Sequence, residues 1–114
     1  MIIFYFANAP QSFTTELKKA ALINNKIASE LKNPDKIPSR SSRRIYYAKT
    51  LEPILSLSNI LDKSDIIITL TYGYTLDVVK KVNEHKFNCN LSHSCFFHEG
   101  SVLNRLINLI ATYA

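Results

Sequence analysis

Two apolar runs constrain the fold of this chain more than any other feature. "MIIFYFA" at residues 1–7 is ended by Asn8 and Pro10. A run of this length without polar alternation is typical of a strand buried on both faces, as in the middle of a parallel sheet. "DIIITLT" at residues 65–71 is the clearest strand after it.

Segments with helical periodicity alternate with the strands. Ser12 can cap a first helix, predicted at residues 12–32. Its apolar positions recur three or four apart: Phe13, Leu17, Ala20, Ile23, Ile27 and Leu31. Further helices are predicted at about 51–62, in "YTLDVVKKVNEHKF" and in "EGSVLNRLINLIATYA". "NCNLSHSCFF" is predicted to be the fourth strand.

The stretch "RRIYYAK" admits two interpretations. Its β-branched and aromatic residues favour a strand, but one helix from Ser42 through residue 62 also fits. Pro53 would then lie in the helix interior at a cost of about 3 kcal/mol, whereas the first turn of a helix tolerates proline. We therefore predict a strand at 43–48 and a break near Thr50.

The resulting order βαβαβαβα predicts an α/β fold. We expect a small three-layer domain at residues 1–114, with a mainly parallel four-stranded sheet and helices on both faces, of flavodoxin- or Rossmann-like order. A chain of 114 residues fits one domain with a single core. Its apolar runs are too short for a membrane span, its start lacks the basic residues of a secretory signal, and its two cysteines suit a reducing compartment. We predict a cytoplasmic protein with free thiols.

Positive charge is concentrated in one half of the chain. Residues 1–50 carry nine Lys and Arg against three acids, and the excess is densest in "KNPDKIPSRSSRRIYYAK". Such a segment attracts acidic protein surfaces or nucleic acids. We predict that a macromolecular partner binds Lys36, Arg40, Arg43 and Arg44. The plainer alternative is a solvated loop interrupted by prolines.

"TLTYGYT" at residues 69–75 lies where a strand is predicted to end and a helix to begin. In open α/β sheets ligands bind at such places. Gly73 can adopt backbone conformations closed to other residues, Thr75 can cap the helix, and Tyr72 and Tyr74 can stack on a base or sugar. We predict an alternative ligand site made by Asn8, Tyr72, Gly73, Tyr74 and Thr75. An ordinary strand-to-helix turn would have the same sequence features.

Three stretches together resemble the nucleoside 2-deoxyribosyltransferases: "IFYFANAP", "ILDKSDIIITL" and the small-residue turn that follows it. The resemblance covers roughly residues 1–95 and implies a flavodoxin-like fold and a nucleoside or nucleotide ligand. Asn8-Ala9 replace the family's glycine before the first-loop proline. The family's nucleophilic glutamate has no equivalent, and the nearest acid is Asp77. Sugar-isomerase domains also carry a G-x-T turn after a buried strand, matched here by Gly73 and Thr75.

Cysteine and histidine residues near the fourth strand suggest zinc at first sight, with Cys89, His93, Cys95 and His98 in the pattern C-x3-H-x-C-x2-H. On an extended strand the two cysteines lie about 20 Å apart and cannot share one ion. Alternation instead predicts a core-facing stripe that contains one hydrogen-bonded histidine. We therefore predict no metal and no cofactor.

No set of residues in this sequence forms a recognisable catalytic centre, whereas the core and the basic segment are well defined. We therefore expect an interaction protein, of the inhibitor, immunity or antidefence type, more than an enzyme. The alternative is a nucleotide- or nucleoside-binding enzyme that uses the "ANAP" and "TYGYT" turns.

Overall fold

A computed structural model describes residues 1–7, 11–32, 38, 41–72, 90–97 and 102–113. Within them five strands form one sheet in the order β2-β3-β1-β4-β5, and every neighbouring pair is parallel. The strands are β1 (Ile2–Ala7), β2 (Ile27–Glu30), β3 (Arg44–Ala48), β4 (Ile66–Tyr72) and β5 (Asn90–Phe97). The helices are α1 (Gln11–Ile23), α2 (Glu52–Leu55) and α3 (Val102–Tyr113). The predicted α/β class is confirmed, and the sheet has one strand more than the four predicted.

Strand β1 lies in the middle of the sheet, and both of its faces are covered. Phe4 and Phe6 pack in a core with residues of α1 and α3. Ile3 and Tyr5 alternate with them and pack on the opposite face, against α2 and the turns that follow it. Because successive side chains of a strand point to opposite faces, one uncharged run fills both cores. The three layers predicted from the sequence are therefore present.

The predicted helix at 12–32 is wrong in its second half. Helix α1 ends at Ile23, and Asn25 has a φ of 58°, in the left-handed region that asparagine tolerates better than most residues. The backbone N–H of Lys26 donates to the Ala21 carbonyl at 2.8 Å, and that of Asn25 to the Leu22 carbonyl at 3.0 Å. These two bonds form a Schellman motif, which ends a helix. The chain then continues as β2, the strand that the sequence prediction lacked.

The ambiguous stretch "RRIYYAK" is a strand. Its backbone pairs with β1 and with β2, and Ile45 to Ala48 are buried. Pro53 lies in the first turn of α2, where its missing N–H costs nothing. Helix α2 is shorter than the predicted 51–62, but the turns after it bury Leu57 and Leu61 as the periodicity indicated.

Of the remaining predicted elements, one strand and one helix are confirmed, and one helix lies outside the described residues. The fourth predicted strand is β5, and the last predicted helix is α3, which buries Leu106 and Ile110. The helix predicted in "YTLDVVKKVNEHKF" lies outside the described residues. None of the described helices combines the length and the apolar character that crossing a bilayer requires.

Candidate functional site

The carboxyl edge of the sheet contains the point where the strand order reverses. After β1 the chain builds β2 and β3 on one side, and later β4 and β5 on the other. The register pairs Ala7 with Thr71, so β1 and β4 end side by side. Ligands of open α/β sheets bind at this kind of reversal. The topology therefore gives the predicted ligand site a suitable place in the fold.

The residues predicted for that ligand site follow these two strand ends. Tyr72 is the last residue of β4, as the sequence prediction required, and its backbone pairs with Phe97 of β5. Asn8 follows β1 directly in the sequence, and residues 73–75 follow β4. These four residues lie outside the described part of the chain. The register therefore shows only that the last residues of β1 and β4 are neighbours.

The amino edge of the sheet carries two arginines of the basic segment. Arg43 and Arg44 are exposed where β3 begins. Ser41 holds this turn, because its hydroxyl accepts a hydrogen bond from the Arg43 N–H and its carbonyl accepts one from the Arg44 N–H, both at 3.2 Å. Lys36 and Arg40, predicted for the same surface, lie outside the described residues.

A third cation joins the two arginines, and the sequence prediction missed it. Strand β2 pairs with β3 so that Ile27 is opposite Arg44, which places Lys26 beside the start of β3. The Lys26 ammonium donates a hydrogen bond to the carbonyl of Ser42. Lys26, Arg43 and Arg44 form no ion pair with a carboxylate among the described residues. We call these three residues the basic surface.

Three aliphatic side chains lie next to the basic surface and are unusually exposed. Leu22 is 66% exposed and Ile23 59%, at the end of α1, and Ile27 is 54% exposed at the start of β2. The Schellman turn that contains Lys26 connects these two element ends. Cations and large apolar side chains therefore share one corner of the molecule.

An ion pair joins the starts of β1 and β4 at the same edge of the sheet. The amino-terminal ammonium of Met1 lies 2.8 Å from Oδ1 of Asp65, and the side chains of these two residues are 1% and 0% exposed. Oδ2 of Asp65 accepts a hydrogen bond from the Asp62 N–H at 2.9 Å. Both charges of the pair are thus compensated inside the protein, and neither adds to the net charge of the basic surface.

The two candidate sites lie at opposite edges of the sheet. The basic surface is at the amino ends of β2 and β3, and the predicted ligand turns follow the carboxyl ends of β1 and β4. Strand β4 has seven residues and spans about 20 Å. A small ligand cannot touch both edges, so the two predictions concern separate sites.

The cysteine and histidine pattern falls partly within β5. His93 and Cys95 belong to this strand, whereas Cys89 and His98 lie outside the described residues. The backbone register with β4 shifts between Ile67 and Ile68, so that these consecutive residues pair with Leu91 and His93. Among the described residues, no three His, Cys, Asp or Glu side chains come together as metal ligands would.

No family model, no characterised protein and no solved structure matches this chain. The resemblance to nucleoside 2-deoxyribosyltransferases stays a prediction from the sequence.

Proposed function

We propose that this chain is a small interaction protein, of the inhibitor, immunity or antidefence type, that binds an acidic surface of a partner protein. The observation that carries the proposal is the basic surface itself. Its three cations have no carboxylate partner among the described residues, so their charge is available to another molecule. Unpaired surface charge of one sign accelerates association with a surface of the opposite sign.

The exposed aliphatic residues favour a protein over a nucleic acid as the partner. Leu22, Ile23 and Ile27 border the basic surface and are each more than half exposed. Apolar side chains grouped in this way contribute to binding when a partner removes them from water. A phosphate backbone offers little apolar surface in return, whereas an acidic protein surface can offer both. Lys36 and Arg40 would extend the same surface.

Binding should depend on the position of the cations and not only on total charge. A tagged protein, with the tag at the carboxyl end to leave the Met1 ammonium free, is used to isolate the partner. The double variant Arg43→Ala/Arg44→Ala is then compared with Lys18→Ala/Lys19→Ala, which removes two charges from the exposed face of α1. We expect the first to weaken binding at least tenfold at low salt and the second less than threefold.

The variant Leu22→Ser/Ile23→Ser separates the two classes of partner. It should weaken binding of an acidic protein without changing the fold, because both side chains are exposed. A partner that is a nucleic acid, or equal losses for the two charge variants, would contradict the proposal. In the latter case the basic segment would be a solvated loop.

The carboxyl edge supports a second candidate function, the binding of a nucleoside or nucleotide. The specific observation is that Ala7 and Thr71 pair at the reversal of strand order. Asn8, Gly73, Tyr74 and Thr75 come next in the sequence and would supply the contacts, together with Tyr72. Titration with nucleosides, nucleotides and phosphosugars tests this function. In this proposal Tyr72→Phe or Tyr74→Phe lowers affinity with little change in stability, and no saturable binding by the unmodified protein would refute it.

A further inference from the structure

A cavity of about 170 Å³ opens at the amino edge of the sheet, beside the basic surface. A single water needs only about 10–15 Å³ of such space, so the cavity has room for a ligand of several atoms. Lys26 and Arg44 line it, and Arg43 does not. This difference between neighbouring arginines separates the cavity from the rest of the basic surface.

The inner wall of the cavity is apolar. Ile2, Ile45 and Ile66 line it, each at or near the start of a different strand. Ile45 is fully buried, and the other two pack against the core between the sheet and the helices α1 and α3. Tyr113, at the end of α3, also lines the cavity. An apolar group that entered would therefore contact aliphatic side chains and one aromatic residue.

The outer part of the cavity is cationic. The Lys26 ammonium donates to the Ser42 carbonyl, which holds it at the cavity and leaves its other N–H groups for a ligand. Arg44 is exposed, and its guanidinium can donate two parallel hydrogen bonds to one anionic group. The described lining residues include no Asp or Glu, and the nearby Asp65 is neutralised by the Met1 ammonium.

We propose that this cavity binds a small organic phosphate monoester, with the phosphate between Lys26 and Arg44 and the organic group on the isoleucine wall. A phosphate fits better than a carboxylate, because two cations, one in the turn before β2 and one on β3, can each bond a different oxygen of its tetrahedral group. The inference goes beyond the proposed function, since it concerns a small molecule and a cavity. The two share Lys26 and Arg44, and Arg43 distinguishes them.

Phenyl phosphate is the probe, and its binding is measured by backbone amide shifts in NMR and by calorimetry. We expect saturable binding that shifts the amides of Lys26, Arg44, Ile66 and Tyr113. Inorganic phosphate lacks the organic group and phenol lacks the charge, so each should bind at least fivefold more weakly. Equal affinity for inorganic phosphate, shifts confined to other residues, or no saturable binding would overturn the proposal.

Variants separate this cavity from the partner surface. Lys26→Met and Arg44→Gln should each weaken binding of phenyl phosphate at least fivefold, whereas Lys26→Arg keeps the charge and should retain it. Arg43→Ala should leave the affinity for phenyl phosphate unchanged, although it should weaken binding of the macromolecular partner. If Arg43→Ala lowers phenyl phosphate affinity as much as Arg44→Gln, the proposal is overturned, because general surface charge would then explain binding.

A lipid headgroup offers the same phosphate chemistry from another source. Vesicles that contain phosphatidic acid should not retain the protein, because the cavity is too small for a lipid body. Retention that is lost in Lys26→Met and Arg44→Gln would overturn the assignment to a small free molecule.

Discussion

The ammonium of Met1 and the carboxylate of Asp65 form an ion pair of 2.8 Å, in which the Asp65 side chain is completely removed from water. The pair connects the start of β1 to the start of β4, 64 positions apart in the sequence. Removing one partner of a buried pair leaves the other charge uncompensated, which costs far more than an exposed pair contributes. The starts of the adjacent strands β1 and β4 are therefore joined by an ion pair as well as by the hydrogen bonds of the sheet.

Asp65→Asn should destabilise the protein by about 3 kcal/mol or more, because the amide keeps the shape of the side chain and leaves the Met1 ammonium buried without a counter-charge. Urea unfolding followed by circular dichroism measures the change. Asp62→Asn is the control, because that side chain is exposed and should cost less than about 1 kcal/mol. Equal losses for the two variants would mean that the buried pair contributes little.

Asn25→Ala should destabilise by about 1 kcal/mol, because Asn25 has a φ of 58° and a β-carbon without a compensating polar group is disfavoured there. Asn25→Gly is expected to match or exceed the stability of the unmodified protein, since glycine adopts this conformation freely. Thermal and urea unfolding of both variants check the prediction. An alanine variant as stable as the glycine variant would argue against the left-handed turn.

Thr69→Val should stabilise the protein by about 1 kcal/mol. Thr69 is fully buried in β4, and its hydroxyl has no hydrogen-bond partner within the described structure. Valine has nearly the same shape and removes the cost of an unsatisfied polar group. Thr15→Val, on the exposed side of α1, is the control and should change little. A loss of stability in Thr69→Val would indicate that the hydroxyl is bonded in solution.

Stability should fall as the pH rises above about 10, the ordinary tyrosine pKa. Burial raises the pKa of the Tyr5 hydroxyl, and burial followed by the charge of Glu30 raises the pKa of Tyr47 in spite of Lys32. A raised pKa means that the native state keeps its protons after the unfolded state loses them. The stabilisation that these two tyrosines contribute is complete below the pKa of the unfolded state, and it is lost as the pH rises through the pKa of the folded state.

Tyr47→Phe tests this dependence, because it removes one of the two hydroxyls. The free energy of unfolding, measured by urea titration between about pH 9 and pH 11, should fall less steeply in the variant than in the unmodified protein. Identical slopes would show that Tyr47 ionises as easily in the folded state as in the unfolded one.

Four of the five strands and the layers of this fold were predictable, because the hydrophobic pattern determines which faces are buried. The run "IIFYFA" predicted a central strand, and β1 has neighbours on both sides. The end of α1 was not predictable from apolar spacing alone, because Ile23 and Ile27 continue the helical periodicity although both are exposed. The pair Asn24-Asn25 was the available signal for the helix end. It ends the helix because Asn25 adopts the left-handed conformation, which helix propensity does not describe.

The candidate sites were predictable only in part, for a related reason. Arg43 and Arg44 were identified from charge density, but Lys26 belongs to the basic surface through the pairing of β2 with β3. Because the sequence prediction assigned β2 to a helix, it could not include that pairing. The cavity was also unpredictable, because its wall combines residues from the starts of three strands and the end of α3.

The central position of β1 also determines how the chain can fold. Its two pairings join residues 3 and 46, which are 43 positions apart, and residues 2 and 66, which are 64 apart. Strand β1 leaves the ribosome before β3 and β4 and therefore waits for both of its neighbours. Topologies with contacts so distant in sequence close large loops before they gain stability, and they fold slowly for their size. Both edges of this apolar strand stay unpaired until β3 is synthesised, and the edge that pairs with β4 stays unpaired for about another twenty residues, so the nascent chain exposes a segment that can aggregate.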